Sequence, residues 1–384
     1  MKKITIIKAI TIAIFVAGYT VVSAAPLSAD QTPPQARAAN PVEALTGTQP
    51  GTQAGKQQRW AVFPIIASSP ETGLQLGAML FHFFPVQAPA QQASMVDIKA
   101  FATTEEQYQV SLSPNIFFHN NRFRLNTAVY YASWTANYYG LGNDAPDESE
   151  EYQSKSLGAT LTLEMKLAES FIVGLLGSFS TEDISTEAGG RLQTDNVIGA
   201  TDADYAGVGI RVGYDSRDNI NAPHAGGLAA YESTWFTPDV GSDQDFTLQT
   251  LDLRYYNLIS RDRVLALSAQ LKNSHGQVPF RFLPSPDGTL LLRGIENGRY
   301  RDNLLLGFQS EYRFPVRGKF SGTVFAEMAQ VANEYRDLKA SSFKTSVGAG
   351  IRYALNAAQR FNLRADIAWV DDGLGVIIFV REAF

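Results

Sequence analysis

The side chains most able to do chemistry in this sequence are its four histidines, because an imidazole can bind a metal or act as a general base. They are His82, His119, His224 and His275, and no two of them have the spacing of a metal-binding motif. His275 could form a hydrolase site with Ser274 or Ser285, but neither serine stands in a nucleophile motif. We therefore predict no catalytic residue, no metal site and no cofactor, and we do not expect an enzyme.

The composition excludes further classes of function. The chain contains no cysteine, which excludes disulfides and thiolate redox chemistry. Its net charge of -6 argues against nucleic-acid binding, which needs a basic surface. The mean hydropathy is -0.11 and, beyond the amino-terminal residues, no window approaches the ~18 apolar residues of a membrane helix. A chain of this kind would cross a bilayer as strands, and its 16 Tyr and 23 Phe would supply aromatic girdles at both interfaces.

The amino-terminal residues are predicted to lie outside the folded unit. Two lysines precede an apolar run at 9–22, and small residues follow it, which is typical of an export signal, so we interpret 1–25 as a signal peptide. A single membrane helix is the alternative, but Lys8 and Thr11 interrupt the run. Residues 26–58 are rich in Pro, Gln, Ala, Thr and Gly, which predicts a disordered periplasmic tail. The remaining residues, 59–384, are predicted to form one domain.

That domain shows alternation of apolar and polar residues nearly throughout. Between Phe343 and Leu355, apolar or hydroxyl side chains occupy every second position, and the other face carries Lys, Ser, Gly and Arg. A period of two with this composition is typical of a strand that has lipid on one side and an aqueous lumen on the other. A soluble β-sandwich is the alternative, but its polar face would not need glycines and opposite charges packed together.

Counting these segments predicts an all-β fold, a transmembrane antiparallel β-barrel of about 16 strands. If both ends of the domain lie in the periplasm, the long segments 134–154, 180–204 and 274–302 become extracellular loops. Most links on the opposite side are short, as at 260–262. Long outer loops and short periplasmic turns are the asymmetry expected of bacterial outer-membrane barrels.

Two stretches of this domain resemble a known family. The sequence GYDSRDN at 213–219, with a proline and a glycine after it, resembles the turn signature of the bacterial surface antigen superfamily, the BamA/TamA-like outer-membrane assembly barrels. Its motif residues here are Tyr214, Asp215, Arg217, Asp218, Pro223 and Gly226. The sequence LRG at 292–294, followed by GRYRDN at 298–303, resembles the family's long sixth extracellular loop. The family is also matched by the first segments of the domain, at 63–66 and 70–73, and by its last residues, 381–384. The resemblance therefore covers 59–384.

The resemblance implies a sixteen-stranded barrel whose sixth extracellular loop, between strands eleven and twelve, folds back into the lumen, with its arginine held by acidic side chains. The residues themselves permit this arrangement. Arg293 and Gly294 stand in the long loop, and alternation points Glu327 and Asp366 into the lumen, where a guanidinium needs carboxylate partners. Our hypothesis is that Arg293 pairs with Glu327, Asp366 or both and locks the loop, and the alternative is a solvated surface charge.

The sequence also departs from the family. Ile295 stands where an aromatic residue usually follows the Arg-Gly pair, Glu327 replaces the commoner Asp, and Ala329 replaces a glycine. The larger departure is the absence of the periplasmic polypeptide-transport-associated (POTRA) domains, and the chain resembles the branch of the superfamily without them. Those domains receive client chains, so a lone barrel of this branch would not work as the family's founders do.

The two ends of the domain predict a weak seam. Pro64 in the first strand has no backbone donor, and Gly375 near the start of the last strand adds flexibility, so we expect these strands to pair and to part readily. The alternative is that Pro64 only sets a bulge at the rim. The last strand is expected to run to Phe384, since an aromatic terminal signal is how bacterial outer-membrane barrels end.

From these observations we predict an integral outer-membrane barrel of a Gram-negative bacterium that assists insertion or translocation of protein or lipid. The alternative is a passive, porin-like solute channel, and a membrane-surface hydrolase is the third reading. The expected partners are outer-membrane lipids and lipopolysaccharide, the assembly machinery for its own insertion, and protein clients, with no nucleic acid.

Overall fold

The computed structural model describes residues 12–13, 59–69, 73–85, 93–357, 359–370 and 373–384. The described residues form one sheet of 17 strands, of which one is the two-residue strand Ile12–Ala13 and sixteen are long. The long strands are β1 (Trp60–Ser69), β2 (Gly73–Phe83), β3 (Met95–Thr103), β4 (Tyr108–Phe118), β5 (Phe123–Tyr138), β6 (Glu150–Lys166), β7 (Phe171–Thr186), β8 (Ala203–Asp215), β9 (Gly226–Phe236), β10 (Phe246–Ser260), β11 (Arg263–Gly276), β12 (Leu304–Arg317), β13 (Phe320–Ala332), β14 (Lys344–Asn356), β15 (Phe361–Val370) and β16 (Gly373–Val380). Apart from Ile12–Ala13, the predicted signal peptide and tail lie outside the described residues.

Helical structure in the described ranges is confined to short turns. It comprises the α-helix Arg191–Thr194 and the 3-10 turns Pro238–Val240, Tyr335–Asp337 and Ala340–Ser342. None of the helices in the part of the chain that the structure describes has the length and apolar character of a membrane span.

Every long strand pairs antiparallel with the next one along the chain, from β1 to β16. The links at one end of the sheet include the long connections 139–149, 187–202 and 277–303, and we call this the loop end. The opposite end, with links such as 261–262, is the turn end. Two of the outer loops, 139–149 and 187–202, are shorter than the predicted 134–154 and 180–204. The reason is that the flanking strands extend beyond the bilayer-length segments that the sequence predicts.

The two faces of the sheet sort their side chains as the alternation predicts. On β14, Val347 and Ile351 are 53% and 47% exposed, whereas Ser346 and Arg352, which flank them, are 0% and 2% exposed. An apolar outer face and a charged inner face are what a barrel wall between lipid and an aqueous interior requires. The large exposed side chains of the described strands are mostly apolar, and most of the buried charges lie on the strands' inner face or in the segments that fold inside.

The closing contact of the barrel differs from the prediction that the first strand pairs with the last. Within the described ranges β1 and β16 are not paired directly with each other. Each pairs with the two-residue strand instead. Ile12 lies opposite Val376 in parallel orientation and opposite Ser68 in antiparallel orientation. Pro64 lies on β1 opposite Ala78 of β2, with its other edge toward this seam. The physical reason for the difference is that both edges still carry free donors and acceptors that a third strand can satisfy.

The last strand is also shorter than predicted. β16 ends at Val380, and Arg381 adopts a φ of 70°, which turns the chain out of the ladder. Residues 381–384 fold into the barrel, where Phe384 is 5% exposed and packs with Tyr256, Val264 and Ala266. Inside the barrel, Glu382 pairs with Arg352 and the Phe384 ring packs against β10 and β11, and these contacts take the place of further ladder positions. The expected role of Phe384 as a terminal signal stays a prediction.

Candidate functional site

The sixth connection at the loop end, residues 277–303 and hereafter loop 6, enters the barrel and joins β11 to β12 as predicted. Near its start, Val278 packs with Phe236 and Phe246 on one wall, and Phe280 lies 5.4 Å from the ring of Tyr138. Farther along, Leu291 and Leu292 join a buried cluster on the opposite wall with Leu305, Ala329, Val331 and Val370. Loop 6 therefore crosses the lumen from the wall of β5–β10 to that of β12–β15.

Neighbouring segments at the loop end hold loop 6 in place. Glu296 accepts hydrogen bonds from the Nδ2 of Asn137 at 2.9 Å and from the hydroxyl of Tyr139 at 2.6 Å. Arg299 pairs with Asp147 at 2.7 Å, and Arg281 pairs with Glu182 of β7. These contacts close the loop end over the lumen.

Arg293 lies at the centre of the site and is 0% exposed. Its Nε donates to Glu327 Oε1 at 2.7 Å, and its Nη1 donates to Asp366 Oδ2 at 2.9 Å. The backbone N–H of Arg293 also donates to Glu327 Oε2, at 2.7 Å. The structure thus brings together the arginine and the two carboxylates that the sequence singled out, and the Asp-to-Glu departure at 327 does not prevent the contact. That this arrangement locks the loop stays a hypothesis.

Three further residues of the site were missed by sequence reasoning. Glu311 Oε2 lies 2.9 Å from Arg293 Nη2, Ser346 donates its hydroxyl to the Arg293 carbonyl at 2.7 Å, and the guanidinium sits 3.3 Å from the centroid of the Phe325 ring. Glu311 faces inward on β12 by the same alternation that identified Glu327 and Asp366, so that rule could have found it. A cation over an aromatic face adds favourable electrostatics. Alternation places Phe325 on the same face as Glu327, but it does not show that the ring lies under the guanidinium.

Gly294 and Gly375, predicted for separate roles, lie against each other. A Cβ added to Gly375 would meet the Gly294 Cα at 2.5 Å. One added to Gly294, whose φ is 93°, would meet Val370 at 3.1 Å and Ala368 at 3.3 Å. Both positions need glycine because two backbones approach closely, and Gly294 needs it also for its conformation. The turn of loop 6 therefore rests on β16, the strand that borders the seam.

The ion pairs of Arg293 continue along the wall into a larger network. Glu311 also binds Arg313 Nε at 2.7 Å, and Asp366 also binds Arg364 at 3.3 Å and Arg352. Arg352 in turn binds Glu382 at 2.7 Å. The network contains Arg293, Arg313, Arg352 and Arg364, balanced by Glu311, Glu327, Asp366 and Glu382. Burial of so many charges is tolerable only because each has partners of opposite sign.

The residues of the predicted turn motif form the end of β8, the link 216–225 and the start of β9. Asp215 accepts two hydrogen bonds from the Arg217 side chain, at 2.9 and 2.7 Å. Asp218 accepts from the backbone N–H of His224 at 2.9 Å and pairs with Arg360 at 2.7 Å. Gly226 has a φ of 93°, and an added Cβ would meet the Ser216 carbonyl oxygen at 2.1 Å.

The other motif residues and the link itself take different places. Tyr214 points outward and packs edge-on with Phe171, and Pro223 offers its carbonyl to Arg313 at 3.5 Å. Ile220, at the centre of the link, packs with Phe81, Phe83, Met95, Phe361 and Val380. The link therefore reaches across the turn end of the barrel to strands on the far side.

The residues considered first for catalysis do not form a catalytic group. His275 Nε2 lies 2.6 Å from Asn273 Nδ2, and Ser274 donates to the carbonyl of Asn303 at 3.1 Å. In the described ranges, no three His, Cys, Asp or Glu side chains come together in a way that could hold a metal ion.

These observations define a class, a membrane-spanning β-barrel with an apolar outer wall, a charged lumen and an internal loop whose buried arginine pairs with carboxylates of the wall. The sequence pattern of the Omp85 superfamily domain matches residues 92–374. The chain therefore belongs to the Omp85 superfamily, and it is an integral protein of the outer membrane of a Gram-negative bacterium. No curated protein sequence matches the chain.

Solved structures with the same fold include a BamA and two CdiB proteins. The BamA of Haemophilus ducreyi lacking POTRA domains 1-3 aligns with a TM-score of 0.56 and 16% identity, over 85% of this chain and 70% of that one. CdiB of Acinetobacter baumannii aligns with a TM-score of 0.54 and 12% identity, over 83% of this chain and 59% of that one. CdiB of Escherichia coli aligns with a TM-score of 0.56 and 10% identity, over 84% and 62%. This chain thus spans less than two thirds of either CdiB chain, and the likeness concerns the fold.

Proposed function

We propose that this protein assists the insertion or translocation of protein or lipid at the outer membrane, as a transporter or insertase and not as an enzyme. The observation that carries the proposal is the seam, where β1 and β16 each pair with Ile12–Ala13, two residues of the segment that the sequence predicts to be a signal peptide. Cleavage of a signal peptide on export would remove this strand and leave both edges open. Strand edges that accept one extra strand can accept another, because the backbone hydrogen bonds of strand addition depend little on sequence. A client strand would enter at the same place.

The filled lumen favours this role over the alternative of a passive solute channel. Loop 6 crosses the interior, and Arg293 fixes it to three strands of the opposite wall. One cavity beside loop 6 has a volume of about 410 Å³. That volume suits a small bound molecule better than a continuous water-filled pore. We propose accordingly that Arg293, Glu327 and Asp366 act as a lock that keeps loop 6 inside.

The test of the seam uses Ser68→Cys together with Val376→Cys, the positions that flank Ile12. A third strand between β1 and β16, whether 12–13 before signal cleavage or a client, puts their backbones two strand spacings, ~10 Å, apart. A disulfide spans at most ~7 Å between Cα atoms, so it forms only when the seam closes directly. The chain has no native cysteine to interfere. We expect the oxidised variant in liposomes to lose assisted insertion of a urea-unfolded eight-stranded barrel protein, and reduction to restore it.

A matched control places a disulfide away from the seam. Ala349→Cys with Ile367→Cys joins directly opposed residues on the outer face of β14 and β15. This variant is expected to retain insertion activity in both oxidation states. Full activity of the seam-locked protein would refute the proposal.

Conductance separates the proposal from the solute channel. In planar bilayers, a lumen filled by loop 6 is expected to give small and irregular currents. Large and steady openings of the unmodified protein would support the channel instead.

A further inference from the structure

We propose that the turn end of the lumen contains a peptide-binding site, which the protein's own residues Arg381–Phe384 fill. We call these residues the tail segment. The site would take, from another chain, a peptide in which an acidic residue is followed two positions later by an aromatic one. The biological use of such a site by a client rests on the proposed function, whereas the binding itself does not.

The tail segment is held as a bound peptide would be, by side chains of the wall and not by a strand ladder. After β16 ends, only the backbone N–H of Arg381 continues toward β15, donating to the Asn362 carbonyl at 2.7 Å. Glu382, Ala383 and Phe384 are then 8%, 7% and 5% exposed. A segment this short becomes so deeply buried only where the wall provides specific places for it.

The first of these places recognises the acidic residue. Glu382 Oε2 accepts from Arg352 Nε at 2.7 Å, and its Oε1 accepts from Asn362 Nδ2 at 2.8 Å. Both oxygens of the carboxylate are therefore satisfied, one by a charged donor and one by a neutral donor. Such pairing distinguishes a carboxylate from an amide, which would bring a second donor against these groups.

The second place recognises the aromatic residue. The Phe384 ring packs with Tyr256, Val264 and Ala266 of β10 and β11, with 6.3 Å between the centroids of Phe384 and Tyr256. The Arg313 guanidinium lies 5.7 Å from the Phe384 ring centroid, and its Nη2 donates to the Phe384 carbonyl oxygen at 3.0 Å. Ala266 is 0% exposed, and its small side chain leaves the space that the ring occupies.

The wall of the site is positioned without help from the tail segment. Arg313 Nε binds Glu311 at 2.7 Å, and Arg352 binds Asp366 on the neighbouring strand. These donors would therefore keep their orientation when Glu382 and Phe384 leave, and a preorganised site binds its ligand at lower entropic cost. While the tail segment is in place, its attachment to β16 gives it a high effective concentration, so it excludes a free peptide.

The test compares the wild-type barrel with a variant whose site is emptied by Glu382→Ala and Phe384→Ala, both purified in detergent. The probe is the fluorescently labelled peptide Val-Arg-Glu-Ala-Phe, and binding is measured by anisotropy. We expect the emptied barrel to bind it at least tenfold more tightly than the wild type. Adding Ala266→Leu, which fills the space of the ring, should abolish the gain. Peptides with Gln for Glu, Ala for Phe, or a scrambled order should bind at least tenfold more weakly.

Equal binding by the wild-type and emptied barrels, or equal binding of the matched and scrambled peptides, would overturn the inference. Heat-resistant mobility on gels checks that each variant is folded. If the emptied barrel does not fold, the single variant Phe384→Ala, which keeps the ion pairs of Glu382 and vacates the position of the ring, is incubated with excess peptide that carries a photoreactive phenylalanine. Crosslinks to β10 or β11 then support the site, and labelling elsewhere or none at saturation refutes it. Neither measurement requires insertion activity, so a failure here is distinguishable from a failure of the proposed function.

Discussion

Arg293 binds three carboxylates from three strands, β12, β13 and β15, with side chains that are 0% exposed. Each strand pairs only with its sequence neighbours, so the arginine adds the cross-links between strands that the ladder cannot make. Because the pairs are buried, removal of one partner leaves charges without compensation. The site is therefore more sensitive to the loss of Arg293 than to changes in the surface charges around it.

Replacing Arg293 by Ala is expected to destabilise the barrel by ~3 to 5 kcal/mol, because Glu311, Glu327 and Asp366 lose their common cation. The measurement is the urea concentration at which heat-resistant gel mobility is lost. Arg293→Lys is the matched control, since it keeps the charge but cannot bond three carboxylates in a planar fork, and it should fall between Ala and wild type. An unchanged midpoint for Arg293→Ala would show that the ion pairs do not hold loop 6.

Replacing Gly375 by Ala is expected to displace loop 6, since the new Cβ would lie 2.5 Å from the Gly294 Cα. Overpacking of this kind costs ~1 to 3 kcal/mol. Limited proteolysis of loop 6 measures the displacement, and cleavage should become faster. Gly177→Ala is the control, because a Cβ there meets nothing within 4 Å. Equal cleavage rates in the two variants would contradict the contact.

At the scale of elements, the link 216–225 between β8 and β9 stands apart from the other short turns. Asn221 donates to the carbonyl of Gln359 in the link between β14 and β15, at 2.8 Å. Together with the contacts of Ile220, this makes the link a cover over the turn end of the barrel. The tail segment lies inside the same end, beside Pro223 and Arg313.

The cover is expected to loosen in acid because of Asp218. Burial raises the pKa of Asp218, but the bond from Arg360 and those from the backbone N–H groups of His224 and Ala225 hold the pKa below its ordinary value on balance. A depressed pKa means that the ionised form adds stability above the unfolded pKa of ~3.9, and that this stability is lost as the pH falls through the folded value. Because Asp218 is partly exposed, the loss should be below ~1 kcal/mol.

Pepsin cleavage within 216–225, followed from about pH 4 to about pH 2, measures this loosening. Asp218→Asn should make cleavage faster at the higher pH of this range. It should also remove most of the pH dependence of the loosening. Asp262→Asn, in the short link between β10 and β11, is the control and should behave as wild type. An unaltered pH profile for Asp218→Asn would contradict the assignment.

Much of this arrangement follows from alternation, and the rest depends on long-range contacts. A period of two places Glu327 and Asp366 in the lumen, and the same rule applied to β12 would have added Glu311. Alternation cannot show that Gly294 meets Gly375, because that contact depends on how far loop 6 reaches. Nor can it show that the chain leaves the ladder at Arg381, since partners for Glu382 and Phe384 lie on strands distant in sequence.

At the scale of the whole molecule, the lumen has two charged walls separated by loop 6. One carries the network of Arg293, and the other carries Arg124, Glu164, Arg211 and Glu232, where Glu164 binds Arg124 and Arg211, each at 2.8 Å. Loop 6 contacts both halves of the barrel through its apolar clusters. It therefore acts as the main internal filling of the part that the structure describes.

Replacing 277–303 by a short Gly-Ser link is expected to open the lumen and to produce large, steady conductance in planar bilayers. The physical reason is that both charged walls would then face water across an empty interior. The control replaces 333–343, the link between β13 and β14 at the same end of the sheet, which contributes no residue to the ion pairs of Arg293. Small currents from the first variant, with folding verified by gel mobility, would show that another segment blocks the lumen.

The contact between Gly294 and Gly375 joins two equilibria that could otherwise vary independently. If the predicted opening of the seam moves β16 away from the barrel, it would withdraw the surface on which the turn of loop 6 rests, and the affinity of Arg293 for its carboxylates would change. Thermodynamic linkage makes the effect reciprocal, so release of the arginine alters the free energy of parting the seam by the same amount. A polypeptide bound between β1 and β16 would thereby change the ion pairs of Arg293 on β12, β13 and β15, and a substitution among those carboxylates would change the affinity for the polypeptide.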